Sequence, residues 1–138
     1  MIIESIIVRN VVTIDDGSTA LDAAKMMTKH CIGSVVVSGR MGIRGLFTES
    51  NLMMDIVSEG KNPAEVLLAD VVTESSLKVT PQENAARCLD LMKEHRCRHL
   101  LVFDGENFVG IVSIRDMTVL LLEEKEQLIA RMNEYITT

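Results

Sequence analysis

An internal repeat constrains this chain more than any other feature. A shift of 65 residues lays the second half over the first without a gap. Ala20 meets Ala85, Met27 meets Met92, His30 meets His95, Val37 meets Val102 and Gly45 meets Gly110. Identities are few, but apolar and turn positions match nearly throughout, and self-similarity at a fixed period decides architecture before any single motif does. Each copy reads as βαββα. Two such copies are expected to pack about a pseudo-twofold axis, each covering the exposed sheet face of the other. The predicted fold class is therefore α/β (α+β), with one helix appended at the C-terminus.

Taken in order, Val11-Val12-Thr13-Ile14 reads as a strand that Asp15-Asp16-Gly17 ends. Ser18 is the predicted N-cap of a helix from Thr19 to about His30, with Ala20, Ala23, Ala24 and Met27 on one face. Gly33 is read as its end, and strands follow at Ser34–Val37 and Ile43–Phe47 around the turn Gly39-Arg40-Met41-Gly42. A second helix is predicted over about Glu49–Ser58, broken by Gly60-Lys61-Asn62-Pro63. The pattern then restarts, with a strand at Leu77–Val79 and a helix after Pro81 that holds Ala85, Cys88, Leu89 and Met92 inside. Strands at Leu100–Phe103 and Phe108–Val112 flank the hairpin signal Asp104-Gly105. A last helix runs from about Arg115 towards Tyr135. The expected divisions are 1–60 for the first repeat, 61–69 for a linker, 70–118 for the second repeat and 119–138 for the C-terminal helix.

Composition removes several functions. Apolar residues make up 47% of the 138, enough for a core, but aromatic residues are only 3% and Trp is absent, so stacking platforms for single-stranded nucleic acid are scarce. A net charge of −6 without a Lys/Arg run argues against nucleic acid and anionic membrane as partners. No apolar run approaches a membrane span. The start MIIESIIVRN is broken by Glu4 and too short for a secretory leader. Cys31, Cys88 and Cys97 form no CxxC, so reduced thiols and a cytoplasmic location are expected. The thiols are read as small buried hydrophobes and the numerous methionines as core filling.

The stretch Gly110-Ile111-Val112-Ser113-Ile114-Arg115-Asp116 carries the chemistry. A buried strand runs into a helix, and Ser113 falls at the N-cap, where free N–H groups and the positive end of the helix dipole suit a phosphate. Asp116, in the first turn, suits the hydroxyls of a ribose. From the heptapeptide alone a capping box, in which the two residues satisfy only helix N–H groups, is the simpler reading.

The whole pattern resembles a tandem pair of CBS domains, the arrangement called a Bateman module, in the manner of stand-alone CBS domain-containing proteins. The resemblance spans about Ile6 to Met117. It rests on Val11-Val12-Thr13-Ile14, on His95-Arg96-Cys97-Arg98-His99-Leu100-Leu101-Val102, on Gly110–Asp116, and on Gly45-Leu46-Phe47-Thr48-Glu49-Ser50-Asn51 in the first copy. It implies an adenosine-type ligand (AMP, ADP, ATP or S-adenosylmethionine) in clefts between the repeats, and it turns the reading of Ser113 and Asp116 from cap to ligand site. Ser113 would meet phosphate or ribose oxygens and Asp116 the ribose hydroxyls. The resemblance implies that Val11, Val12, Ile32, Gly33 and Ser34 finish that cleft. Thr48 and Asn51 take the same places in the first copy, with Ser76, Leu77, Cys97, Arg98 and His99 finishing theirs. Asn51 departs from the commoner aspartate, and an amide accepts more weakly than a carboxylate. Arg98 suits phosphate by its planar fork.

Two other classes find less support in the residues. No Gly-x-Ser-x-Gly elbow, P-loop or paired Glu/His metal motif appears, and Ser113 has no base in its own motif, so a binding module is expected rather than an enzyme, with no cofactor beyond a regulatory nucleotide. His95, Cys97 and His99 alternate as zinc ligands on a strand would, but His95 is predicted to close a helix, which breaks the alternation; no metal site is assigned. The last helix presents Leu121, Leu122, Leu128, Ile129, Met132, Tyr135 and Ile136 as an apolar face. A homodimer contact is expected there, with the output made in trans on a separate target protein. A ligand-free dimerisation scaffold is the alternative.

Overall fold

The computed structural model describes residues 1–72 and 77–137. They form two compact units, one of residues 10–72, the other of Met1–Arg9 together with the chain from Leu77 onward. In the first unit β1 (Thr13–Asp15) runs parallel to β2 (Ser34–Gly39), which pairs antiparallel with β3 (Gly42–Thr48), in the order β1-β2-β3. Val35, Val36 and Val37 are all buried, as a strand covered on both faces requires. Gly42 turns the hairpin at φ 108°, a conformation only glycine takes without strain. Helix α1 (Ala20–His30) packs Ala20, Ala23 and Met27 into the core beside Ile14, Val35, Val37 and Phe47. The alanines let the helix lie close to the sheet.

Helix α1 ends at His30, as the sequence predicts, but its cap residues differ from the expectation. Thr19, not Ser18, is the N-cap: its hydroxyl accepts from Asp22 N–H at 3.1 Å and Asp22 accepts from Thr19 N–H at 3.0 Å. That reciprocal pair satisfies two otherwise orphaned donors. The helix stops at Cys31, which takes the left-handed conformation at φ 53°, before Gly33 is reached. Cys31 is exposed there, contrary to its reading as a buried hydrophobe. After β3 the chain turns through α2 (Glu49–Asn51) into a wider π-helical turn over Leu52–Val57, which buries Ile56.

Residues 61–72, of which 61–69 were expected to be a linker, are structured. A 3₁₀ turn at Pro63–Glu65 leads into α3 (Leu68–Val71), and Leu68 is fully buried in the core of the first unit. Ala20 N–H donates to the Val66 carbonyl and Leu68 N–H to that of Ser18, each at 2.9 Å.

The second unit repeats the first at the same 65-residue shift. β4 (Lys78–Val79), β5 (His99–Asp104) and β6 (Asn107–Ser113) form the sheet β4-β5-β6 with the same parallel and antiparallel pairings. Helix α4 (Ala85–His95) is capped by Asn84 and ends on a left-handed Arg96, again at φ 53°. The place that Val66–Leu68 hold in the first unit is held here by the N-terminal segment. Ala85 N–H donates to the Met1 carbonyl at 2.8 Å and Ile3 N–H to that of Glu83 at 2.9 Å. Ile3 and Ile7 are buried in this core, and Val8 exchanges both backbone hydrogen bonds with Ile111 on β6. Full burial of one such aliphatic side chain contributes about 2 kcal/mol, so the segment ahead of each repeat stabilises the other.

Helix α5 (Ile114–Thr137) begins against this core through Met117 and Leu120. From Lys125 to Ile136 every residue is exposed, including Leu128, Ile129, Met132 and Tyr135. No helix among the described residues is long and apolar enough to cross a membrane.

Candidate functional site

Because β1 and β2 start together and β3 ends beside them, one end of the first sheet collects its candidate residues. The Val12 carbonyl accepts from Val36 N–H at 2.9 Å, Ser34 pairs with Thr48 in register, and Glu49 N–H donates to the Gly33 carbonyl at 3.0 Å. Val11, Val12, Ile32, Gly33, Ser34, Thr48 and Asn51 thus gather around one strand-to-helix junction. Ser34 is the one buried polar residue of the set.

The second unit repeats this arrangement. Leu77 accepts from Leu101 N–H at 3.0 Å, His99 pairs with Ser113, and Ile114 N–H donates to the Arg98 carbonyl at 2.8 Å. Leu77, Cys97, Arg98, His99, Ser113 and Asp116 therefore share the corresponding end. Ser76 lies outside the described residues.

Both junctions are built as capping boxes. In the second, Asp116 Oδ2 accepts from Ser113 N–H at 3.0 Å and from the Ser113 hydroxyl at 2.7 Å, while Ser113 Oγ accepts from Asp116 N–H at 3.2 Å. Both bonds to the carboxylate use one oxygen, Oδ2. Oδ1 takes no hydrogen bond among the described residues, and Asp116 is only partly buried. The cap and an acceptor for a ligand hydroxyl therefore coexist in one side chain, since an ionised carboxylate has about four lone-pair sites.

The first junction has the same frame and a different outer face. Asn51 Oδ1 accepts from Thr48 N–H and from the Thr48 hydroxyl, both at 2.9 Å, and Thr48 Oγ1 accepts from Asn51 N–H at 3.1 Å. The amide nitrogen is what remains, and it donates to Asp55 Oδ2 at 3.2 Å.

The second unit also carries a cationic depression of about 550 Å³, with Leu89, Met92 and Ile114 as its apolar floor and Lys93, Arg96 and Arg98 along it. Among the described residues no carboxylate lines it. Lys93 and Arg96 were not among the sequence candidates. Their counterparts at the 65-residue shift, Thr28 and Cys31, are uncharged, so comparing the copies for charge rather than apolarity would have found them. In the first unit the position of Arg98 is Gly33, and a Cβ placed there would lie 3.0 Å from Glu49 Oε1. Arg98 of the second junction thus has no cationic counterpart in the first.

Both thiols of the second unit are held above the usual cysteine range. Burial, with the nearby Glu83 charge, pushes Cys88 up to about 11. Burial also raises Cys97, against the lowering effect of backbone N–H groups at His99 and at Cys97 itself. His95 closes α4 and so lies off the strand that His99 begins. No group of three or more His, Cys, Asp or Glu is placed to hold a metal ion among the described residues.

Two βαββα units in tandem, each with a capped strand-to-helix junction, define the architecture, and comparison identifies it. The family model of the CBS domain matches residues 3–58 and again 68–123, and the chain belongs to the CBS-domain family. It is 32% identical over 129 residues to the mitochondrial CBS domain-containing protein CBSX3 of Arabidopsis thaliana, covering 90% of this chain and 62% of that protein. An uncharacterised protein of Methanopyrus kandleri is 32% identical over 128 residues, covering 91% and 63%. The chain thus spans less than two thirds of the length of these relatives. The arabinose 5-phosphate isomerase of Yersinia pestis matches at 30% identity over 106 residues, 32% of that enzyme. Among solved structures, a CBS-domain protein of Agrobacterium tumefaciens superposes with a TM-score of 0.74 at 27% identity, covering 80% of this chain and 83% of that one.

Proposed function

We propose that this CBS-domain protein is a regulatory module that binds an adenosine nucleotide: AMP, ADP, ATP or S-adenosylmethionine. The observation that carries the reading is the free Oδ1 of Asp116, held rigidly by a box that consumes only Oδ2. Ser113 and Asp116 take the ribose end, with Val11, Val12, Ile32, Gly33 and Ser34 completing that site. Thr48 and Asn51, with Leu77, Cys97, Arg98 and His99, make the second site. Lys93, Arg96 and Arg98 supply phosphate donors without a competing carboxylate. Binding shifts the module towards one arrangement by differential affinity for it. The output passes to a target protein in trans, from a homodimer in the cytoplasm.

A thermal-shift panel of AMP, ADP, ATP, S-adenosylmethionine, NAD(H), zinc and a chelator tests this. Ligand at a hundred times its Kd adds about 2.7 kcal/mol, which raises the midpoint by several degrees. A shift with one adenosine ligand supports the reading, and no shift with any of them refutes it. A ligand-free dimerisation scaffold is the second reading, favoured by the uncovered apolar residues Leu128, Ile129 and Met132 on α5.

A further inference from the structure

We infer that Asp55, not Asn51, is the acceptor for the ribose diol at the first-repeat site, an assignment that rests on the nucleotide reading above. The two lone pairs of Asn51 Oδ1 are both taken, by the N–H and the hydroxyl of Thr48. The orientation of the amide follows, because the Thr48 N–H needs an acceptor and only the oxygen provides one. Asn51 therefore presents an NH₂ outward, which donates to a hydroxyl but accepts from none. A ribose diol brings two O–H donors that need acceptors.

Such a group is held directly by Asn51: the Asp55 carboxylate, whose Oδ2 is 3.2 Å from Asn51 Nδ2. It is exposed, and that amide is its one hydrogen-bond partner among the described residues. The pair works as one unit: the amide holds the carboxylate beside the junction, and the carboxylate supplies the lone pairs that the amide lacks. The π-helical turn over Leu52–Val57 carries Asp55 on the same side as Asn51 while burying Ile56 on the other, and such turns recur at functional sites. The second repeat has no need of the device. Asp116 keeps Oδ1 free, and the position matching Asp55 is Leu120, buried in the core. The first-repeat site thus selects for the ribose through a residue one helical turn beyond the family motif.

The test is titration calorimetry with AMP and with 2′,3′-dideoxy-AMP on the full chain carrying Asp116→Ala, which leaves the first-repeat site as the one measured. Adding Asp55→Asn is expected to weaken AMP about tenfold, the loss of a charge-assisted hydrogen bond, and to leave the dideoxy ligand unchanged. Asn51→Asp on top of Asp55→Asn rebuilds the Asp116 pattern and is expected to restore AMP affinity. Equal AMP affinity with and without Asp55→Asn, or equal losses for both ligands, overturns the assignment while leaving nucleotide binding intact. Absence of binding of AMP, ADP, ATP and S-adenosylmethionine alike to the unsubstituted protein overturns the nucleotide reading, and the Asp55 assignment falls with it.

Discussion

Gly110→Ala probes how the N-terminal segment is joined to the second repeat. A Cβ at Gly110 would overlap the Val8 carbonyl oxygen and lie 2.9 Å from Ile7 Cγ2. Backbone cannot swing aside as a flexible side chain does, so relief requires Val8 to lift away from β6. That breaks Val8 N–H to Ile111 carbonyl at 2.9 Å and Ile111 N–H to Val8 carbonyl at 3.0 Å. Each backbone bond contributes about 1 kcal/mol net, and displacing Ile7 from the core adds overpacking strain of about 1–3 kcal/mol. The expected loss is about 3–5 kcal/mol. For a chain of this length about 3–4 °C of Tm accompanies each kcal/mol, so calorimetry should show a fall of roughly 9–20 °C. Hydrogen exchange should show the Ile111 amide losing protection while Val36, on the first sheet, keeps its own. The same substitution in a chain that starts at Asn10 should cost much less, since the obstructing carbonyl is gone. A Tm within 2 °C of the unsubstituted protein's, a shift too small for even one broken backbone bond, would refute this account of the segment.

Other consequences are equally direct. Asp116→Ala should weaken AMP at least tenfold while Asn51→Ala costs less, measured by calorimetry, because only the former removes a free acceptor. Ending the chain after Glu124 should move it towards monomer in light scattering with little change in Tm, since Lys125–Ile136 are all exposed whereas Leu120 is core. Cys31 should react with a thiol reagent in the native state, Cys97 more slowly, and Cys88 only on unfolding. Cys88 is raised to about 11 from 9.0, so its contribution to stability is complete below pH 9 and lost as pH rises towards 11; Cys88→Ala should flatten that part of the stability profile.

What the sequence determined was everything set by neighbours along the chain. The repeat, the strand-to-helix junctions at Thr48 and Ser113, the Asp104-Gly105 hairpin and the CBS-domain class all follow from residues a few positions apart or from their recurrence at one period. The alternatives of cap and ligand site at Ser113 and Asp116 were legible too, but not that the cap leaves one carboxylate oxygen over, because that depends on which oxygen the cap consumes. The helix ends at His30 and His95 were legible, but not the left-handed caps at Cys31 and Arg96, because neither is glycine; each cap N–H donates to the carbonyl one turn back, Met27 and Met92. Residues 61–69 and 1–9 look like loose connections in sequence. Each contributes one aliphatic residue, Leu68 or Ile3, that is fully buried. Only the tertiary structure assigns each segment to its core, because burial there depends on partners distant in sequence, Val66 with Ala20 and Met1 with Ala85. The link from Asn51 to Asp55 was equally out of reach, since it turns on how one amide is oriented by the backbone it caps.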